Sequence, residues 1–529
     1  MPKVLIADKL SLKAEQIFAD NGIEVDVKTG LGEAELAVAL KNYDGLVVRS
    51  ATKVTSAALE NADALKVIGR AGVGTDNIDL EAATSRGIVV MNAPSGNSTT
   101  TAEHALALMF ALARQIPEAN SSTQAGKWEK SKFMGVELSG KTLGIIGCGN
   151  IGANVAERAV GLKMQVVAYD PFLSSERAAD LRIEMVTLSE LYTRSDFITL
   201  HTPLTDSTRN LINSNSINQM KKGVRIINCA RAELVVEEDL AAALEAGHVA
   251  GAAVDVFSEE PATENVLFGL SNLVATPHLG AATSEAQENV AIQIAEQISD
   301  FLLTGAAANT VNMPSISAEE APILKPYMRL AEQLGSFAGQ LTDSGIEAVS
   351  IEFAGHVATL NTRPLVSAAL VGLLAPLLDR VHVVNAPTIA RDRNVDVSET
   401  KNERPGDHQT LIRLTIRTGS GKQSVSGTLF GGDKPRIIEI DNMPVDAEVG
   451  PHMLYVRNKD FPGIIGKIGQ TLGDGGVNIA TFHLGRAERG GDAMALLLMD
   501  EPIDSDVLDN LASLENIVLV KALSFDEHR

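Results

Sequence analysis

Only two cysteines occur in 529 residues, Cys148 and Cys229, and neither has a partner at metal-ligand spacing. That excludes a disulfide framework and a zinc site, and it suits a reduced compartment. Basic residues are also in short supply. With 45 Lys plus Arg against 67 Asp plus Glu the net charge is −22, which argues against non-specific binding to nucleic acid or to an anionic membrane. Any anionic ligand would need a local basic pocket. Long apolar runs are missing as well: the uncharged run at 364–378 is 15 residues long and holds two prolines, too short for a membrane span. The opening segment MPKVLIADKL has no secretory apolar core and reads directly as a strand. The expectation is a soluble protein of the cytoplasm without a metal. Low-complexity tracts and short-period repeats are absent too. A hydrophobic share of 45% indicates folded domains, and at roughly 150 residues per domain the length suggests three or four of them.

What is present is concentrated first in residues 142–170, TLGIIGCGNIGANVAERAVGLKMQVVAYD. An apolar strand runs into Gly147, Gly149 and Gly152 in G-x-G-x-x-G spacing, a helix follows, and a second strand ends at Asp170. Each glycine has a physical task. Gly147 permits the tight turn, Gly149 lets the backbone approach a pyrophosphate, and Gly152 lets helix and strand pack closely, while the helix N-terminus offers free N–H groups to the phosphates. Asp170 stands where a carboxylate accepts hydrogen bonds from a ribose diol and repels a 2′-phosphate, so the expected cofactor is NAD rather than NADP.

The glycine turn begins well over a hundred residues into the chain, and the preceding segment already alternates strands and helices. KVLIAD, IEVDV, GLVVRS, LKVIG and GIVVMN read as buried parallel strands. A helix over 99–114, capped by its threonines, leads out of this first unit, and a second amphipathic helix over 284–303 brings the chain back. The first domain is therefore expected to be discontinuous, residues 1–98 and 283–312 flanking a cofactor domain at 99–282, with the active site in the cleft between them. NTVNMP and SISAEEAP read as a linker. Residues 313–450 suggest a compact α+β domain without an evident catalytic constellation. Residues 451–529 read as a β-α-β-β-α-β module.

Three segments downstream of the glycine turn carry groups that handle carboxylates or protons: NCARAELV at 228–235, DVFSEEPA at 255–262 and TPHLGAAT at 276–283. Each follows an apolar strand, and in an open parallel sheet the carboxyl ends of the strands face the ligand crevice. Oxidising a 2-hydroxy acid requires an anchor for the carboxylate, a base for the hydroxyl proton and a hydride acceptor. Arg231 offers the planar fork, His278 the base and NAD the acceptor. Glu260 would bond the other imidazole nitrogen and fix its tautomer. Asp255 reads as a strand-end residue near the nicotinamide ribose or amide. Taken singly, His278 could be a turn histidine, Arg231 a partner of Glu233 and Glu260 a solvated loop acid. Their joint placement after successive strands favours the catalytic set. His104, His201 and His248 read as structural or surface residues.

In their order along the chain, GCGNIG with Asp170, HTPL at 201–204, NCAR, DVFSEEP and TPHLGA resemble the D-isomer-specific 2-hydroxyacid dehydrogenases. RSATKVT at 49–55, GRAGVGTDNID at 69–79, APSGNSTTTAEH at 93–104 and GKWEKSKFMG at 126–135 are similar to the branch of that family that acts on 3-phosphoglycerate. The resemblance implies an α/β protein with a Rossmann-type cofactor domain and a discontinuous flavodoxin-like substrate domain. An α+β intervening domain and a ferredoxin-like ACT domain would follow. It implies NAD-dependent oxidation of 3-phospho-D-glycerate to 3-phosphohydroxypyruvate at the entry to serine biosynthesis, with Arg231, Glu260 and His278 catalytic. Gly147, Gly149, Asn150, Ile151, Gly152, Asp170, Thr202, Cys229, Ala230, Asp255, Gly280 and Ala281 would line the NAD site. For the substrate phosphate the leading candidates are Arg49 and Arg70, with Gly72 beside them; Lys53, Lys130 and Lys132 are weaker. L-serine would be held in the ACT module by Asn458, Asp460 and Asn478, and the assembly would be a homo-oligomer, a tetramer in first place. Two rivals remain, a glyoxylate or hydroxypyruvate reductase on the same scaffold and a non-catalytic NAD-sensing scaffold. The chain departs from the family pattern at Ala232-Glu233, where Gly-Gly is usual, which puts the loop geometry there in question.

Overall fold

The structure is a computed structural model that describes residues 1–404, 406 and 408–525. The first sheet is wholly parallel and five-stranded, in the order Glu24–Val27, Lys3–Ile6, Gly45–Val48, Val67–Arg70, Val89–Asn92. This is the flavodoxin-like order. Alternate strand residues feed the two faces: Val4, Ile6, Val47 and Val67 enter one core, and Leu5, Leu46, Val48 and Ile68 enter the other. Strands covered on both sides need such unbroken apolar runs.

The second sheet has seven parallel strands. In spatial order they are Leu273–Ala275, Val249–Val254, Val224–Asn228, Phe197–Leu200, Thr142–Ile146, Gln165–Tyr169 and Glu184–Met185. The direction of winding reverses between Thr142–Ile146 and Phe197–Leu200, the topological switch point beside which doubly wound sheets bind their ligands.

Two helices cross between these units. Ser98–Arg114 packs on the second sheet through Ala102, Leu108 and Leu112, and Ser284–Thr304 returns to the first sheet through Ala291, Ile294 and Ile298. The threonines expected to cap the first helix do something else. Asn97 is the N-cap and makes no side-chain cap bond, whereas Thr101 Oγ1 donates to the Gly280 carbonyl at 2.9 Å and Thr100 meets Thr283 at 3.3 Å. They fasten the two crossings to each other, next to the cleft.

The stretch expected to be a linker is firmly held. Ala307 and Ile316 exchange backbone hydrogen bonds, and the Asn312 side chain bonds Ile88 and Val90 at the edge of the first sheet. A 21-residue helix, Ala321–Leu341, then begins inside SISAEEAP. It covers a mixed six-stranded sheet together with Arg363–Leu374. That sheet runs Asp396–Asn402, Ile346–Gly355, Thr410–Thr418, Gly421–Phe430, Lys434–Ile440, Met443–Glu448, and only its first pair is parallel. The last sheet is antiparallel, in the order Ile479–Arg486, Asp492–Met499, His452–Lys459, Ile517–Ser524. Helices Ile464–Asp474 and Ser505–Ala512 pack on one of its faces. The opposite face, with Met453, Tyr455, Met494, Leu496 and Leu523, joins the core of the preceding domain. Tyr455 meets Phe337 edge-on at 5.7 Å.

No helix among the described residues is long and apolar enough to cross a membrane, and no group of three or more potential metal ligands occurs among them.

Candidate active site

Local stereochemistry builds the cofactor cradle. Gly147 has φ +88°, and a Cβ there would lie 2.6 Å from the His201 carbonyl oxygen. At Gly152 a Cβ would meet the Gly147 carbonyl oxygen at 2.1 Å, so helix Asn150–Gly161 can approach its strand only because no side chain intervenes. A Cβ on Gly149 would meet nothing within 4 Å. It faces an open cleft of about 400 Å³ lined by Ser95, Ser98, Thr99, Cys148, Asn150 and Arg177 among others. A backbone left bare at a helix N-terminus, facing a cleft of this size, fits a pyrophosphate. Asp170 accepts from the Cys148 N–H at 2.7 Å and the Phe172 N–H at 2.8 Å, which fixes the acid beside the glycine turn. Burial, then the neighbouring Asp170, pushes the Cys148 thiol up to about 11. Burial and then Asp255 also push the Cys229 thiol up. Both therefore stay protonated at neutral pH and are poor nucleophiles. Arg177, from the short helix Ser175–Asp180, shares the cleft. No motif in the sequence pointed to it.

The proton-handling groups meet beyond the strand ends. His278 Nδ1 lies 2.7 Å from Glu260 Oε2, and Glu260 Oε1 accepts from the Phe257 N–H at 3.1 Å. The histidine backbone is left-handed, φ +54°, and its N–H bonds back to the Thr276 carbonyl. Such a conformation costs a non-glycine residue on the order of 1–3 kcal/mol and persists only where the surroundings impose it. Asp255 imposes it. Wholly buried, its carboxylate accepts from Thr276 Oγ1 at 2.6 Å, from the Leu279 N–H at 2.7 Å and from the Gly280 N–H at 2.8 Å. Burial works to raise its pKa, but His104, Thr276 and the Leu279 N–H outweigh this and hold it below the usual carboxylate range. His104, expected to be structural or superficial, stands 3.2 Å from both Thr276 and Asp255. It helps build the turn that carries His278, a role visible only in three dimensions. His201 is partly buried and bonded to Thr199 at 2.9 Å, and burial pushes its pKa down to about 4, so it stays neutral.

The third component is a set of arginines drawn from both domains. Asn228, at the end of its strand, accepts from the Ala230 N–H at 3.0 Å and donates to the Arg231 carbonyl at 2.8 Å, which shapes the turn that presents Arg231. Ala232 and Glu233 then enter a short 3-10 turn with φ values outside the left-handed region. The loop has no need of the family's two glycines, and the departure there leaves the arginine in place. From the other side come Arg70 and Arg49. The Arg70 guanidinium lies over Gly72, where a Cβ would sit 1.4 Å from Nη1, and Gly72 has φ +154°. Arg231 Nη2 likewise occupies the space a Cβ on Gly74 would take, at 1.7 Å. Arg70 Nε is buried without a hydrogen-bond partner. Burial first, and then the charge of Arg231, push its pKa down to about 10; it is still charged at neutral pH. Arg49 is half-buried, with its N–H on Asp8 at 2.5 Å. An under-solvated guanidinium among other arginines, in so acidic a chain, is a site for an anion. Lys53 and Lys130 are exposed, and Lys132 pairs with Glu129 at 3.7 Å.

In the last domain the three expected effector residues part company. Asn458 is buried and its amide donates to the Lys459 carbonyl at 2.8 Å, so it shapes the strand end. Asp460 accepts from the Gly490 N–H at 2.9 Å and from Arg486 at 3.2 Å, while Asn478 donates to Asp500 at 2.5 Å. Within one chain the two engage different partners.

Comparison with known proteins identifies the family. Residues 106–280 match the family described as D-isomer specific 2-hydroxyacid dehydrogenase, NAD binding domain; residues 323–441 match the D-3-phosphoglycerate dehydrogenase intervening domain; residues 452–516 match the ACT domain. A D-3-phosphoglycerate dehydrogenase of Methanocaldococcus jannaschii is 44% identical over 521 residues, 98% of each chain. That of Bacillus subtilis is 39% identical over 524 residues, 99% of each. Among solved structures, a Thermus thermophilus protein aligns with TM-score 0.54 at 35% identity, over 58% of this chain and 99% of its own.

Proposed function

This chain belongs to the D-3-phosphoglycerate dehydrogenases, and from that membership we infer that it oxidises 3-phospho-D-glycerate to 3-phosphohydroxypyruvate with NAD, the first step of L-serine biosynthesis. The observation that carries the substrate assignment is the convergence of Arg49, Arg70 and Arg231 on one cleft. A glyoxylate or hydroxypyruvate reductase has one carboxylate to hold. Phosphoglycerate brings a carboxylate and a phosphate dianion, and the surplus of cations suits it.

In this reading residues 1–98 and 283–312 bind substrate, 99–282 bind NAD, 313–450 intervene and 451–529 regulate. Arg231 takes the substrate carboxylate, and Arg49 and Arg70 take the phosphate, with Gly72 leaving room for the Arg70 guanidinium. The substrate is thus gripped at both ends and its C2 fixed between them. NAD, when bound, accepts the hydride from C2 at its nicotinamide. His278 donates Nδ1–H to Glu260, which leaves Nε2 free to take the hydroxyl proton; the Glu260 carboxylate then stabilises the imidazolium. In reverse the same proton returns to the oxo group. Gly147, Gly149, Asn150, Ile151 and Gly152 receive the pyrophosphate half, Asp170 the adenosine ribose, and Thr202, Cys229, Ala230, Gly280 and Ala281 the nicotinamide half. Asp255 shapes the wall there.

NADH formation should therefore require the phosphate. Arg49→Ala should raise KM for 3-phosphoglycerate by about ten- to a hundredfold and change KM for glycerate little. Steady-state NADH absorbance with the two acids decides it, and equal losses for both would reject the phosphate role.

For regulation, L-serine is the proposed effector, with Asp460 and Asn478 as its polar contacts, contributed by different copies of the chain. Trp128 and Met134, 87% and 75% exposed, suit contact with a second copy, and a cytoplasmic homotetramer is the proposed assembly. Isothermal titration with serine should give a saturable heat that Asp460→Ala abolishes. Absence of both heat and a thermal shift with serine in the parent protein would refute the effector.

A further inference from the structure

The guanidinium of Arg231 has five N–H bonds in a fixed plane, and two hydrogen bonds hold it from within the chain. Nε and Nη2 both reach Asp76 Oδ2, at 3.0 and 2.9 Å, and Nη1 donates to the Ala230 carbonyl at 2.7 Å. Asp76 thus lies on the side edge, where Nε and Nη2 lie together. The outer edge, one N–H on each Nη, parallel and spaced for two carboxylate oxygens, is not the edge Asp76 takes. Asp76 belongs to the substrate domain, 155 residues away in sequence. Its loop is anchored: Asn77 donates to the Arg49 and Thr52 carbonyls, both at 2.7 Å, and a β-bridge joins Val54 to Ile78.

We propose that Asp76 is the positioning residue for Arg231: reaching across the cleft, it occupies the side edge of the guanidinium and so presents the outer edge to the substrate carboxylate. This rests on the carboxylate-binding role of Arg231 given above. The alternative is that Asp76 parks Arg231 in the empty enzyme and competes with the substrate. The two readings predict opposite signs. An aligner that leaves the fork free favours substrate binding, whereas a competitor opposes it.

Asp76→Asn separates them. The side chain is 66% exposed and the change is isosteric, so the fold should survive, which the melting temperature verifies. Calorimetric titration of the enzyme–NADH complex with 3-phosphoglycerate, a pair that cannot react, measures binding without turnover. The variant should bind 3-phosphoglycerate about tenfold more weakly, the scale expected for a misaligned fork. Binding of sn-glycerol 3-phosphate, which has the phosphate but no carboxylate, and of NADH itself should be unchanged. Tighter binding of 3-phosphoglycerate, no change, or equal weakening of both ligands would each overturn the proposal. If the parent enzyme turns over no 3-phosphoglycerate, the functional reading itself has failed, and that result is obtained before any variant is made.

Discussion

His278→Ala should lower kcat by about a hundred- to ten-thousandfold, the range contributed by a positioned general base, while NADH affinity stays as it was. The other histidines and the cysteines near the cleft are poorly placed to take the proton. His104 is committed to Asp255 and Thr276, His201 is bonded to Thr199 and held neutral, and the two cysteines are held protonated. Glu260→Gln should have a smaller effect, about tenfold on kcat/KM, because an amide can still bond to the imidazole but no longer neutralises the imidazolium formed in the reaction. Steady-state kinetics with a separate NADH fluorescence titration would check both. Undiminished kcat in His278→Ala would remove the histidine from the mechanism.

Arg231→Ala should cost about a thousandfold in kcat/KM, on the order of 4 kcal/mol of transition-state stabilisation. The loss should fall on both constants, since the fork holds the substrate and also fixes which face of C2 meets the cofactor. Arg231→Lys is the sharper variant. It keeps the charge but not the planar pair of N–H bonds, so a loss of about a hundredfold should persist. A lysine enzyme with near-normal kcat would mean that charge alone suffices and that the geometry of the fork is incidental. Both experiments bear on the same strand ends, yet they are separable, because the histidine variant should bind 3-phosphoglycerate normally and the arginine variants should not.

Much of this was legible in the chain because the decisive features are local. A glycine that needs φ +88°, or that touches a carbonyl where its Cβ would be, declares itself by its spacing. Strands covered on both faces declare themselves as short apolar runs. The strands Thr142–Ile146 and Gln165–Tyr169 lie where the residues place them, running into Gly147 and up to Asp170. What escaped is non-local or masked. Helix Ala321–Leu341 carries prolines at 322 and 326, ordinarily stop signals, so its start was read as a linker. The tertiary context outweighs them: one apolar face of that helix, from Leu324 to Leu341, lies in the largest core of the chain. His104, Arg177 and Asp76 bear on the cleft from segments far apart in sequence, and no spacing rule connects them. Ala232 and Glu233 are instructive in the other direction. The sequence raised a question about that loop, and the backbone answers it, because neither residue adopts a conformation that only glycine tolerates.

The core shared by the two C-terminal domains has a mechanical consequence. Phe337, Tyr455, Leu496 and Leu523 sit in one apolar body, and Gln340 clasps Ser524 with a bond in each direction. These domains cannot swivel against each other without opening that body, so they form a single lever. Its fulcrum is the pinned stretch between Gly305 and Glu320. Its other point of purchase is the substrate domain, where Val384 enters the core beside Ile294 and Ile298 and Asn385 bonds the Ser85 carbonyl. A push at the far end therefore arrives as a torque on the domain that carries Arg49 and Arg70. It would be felt as a change in how the jaws meet.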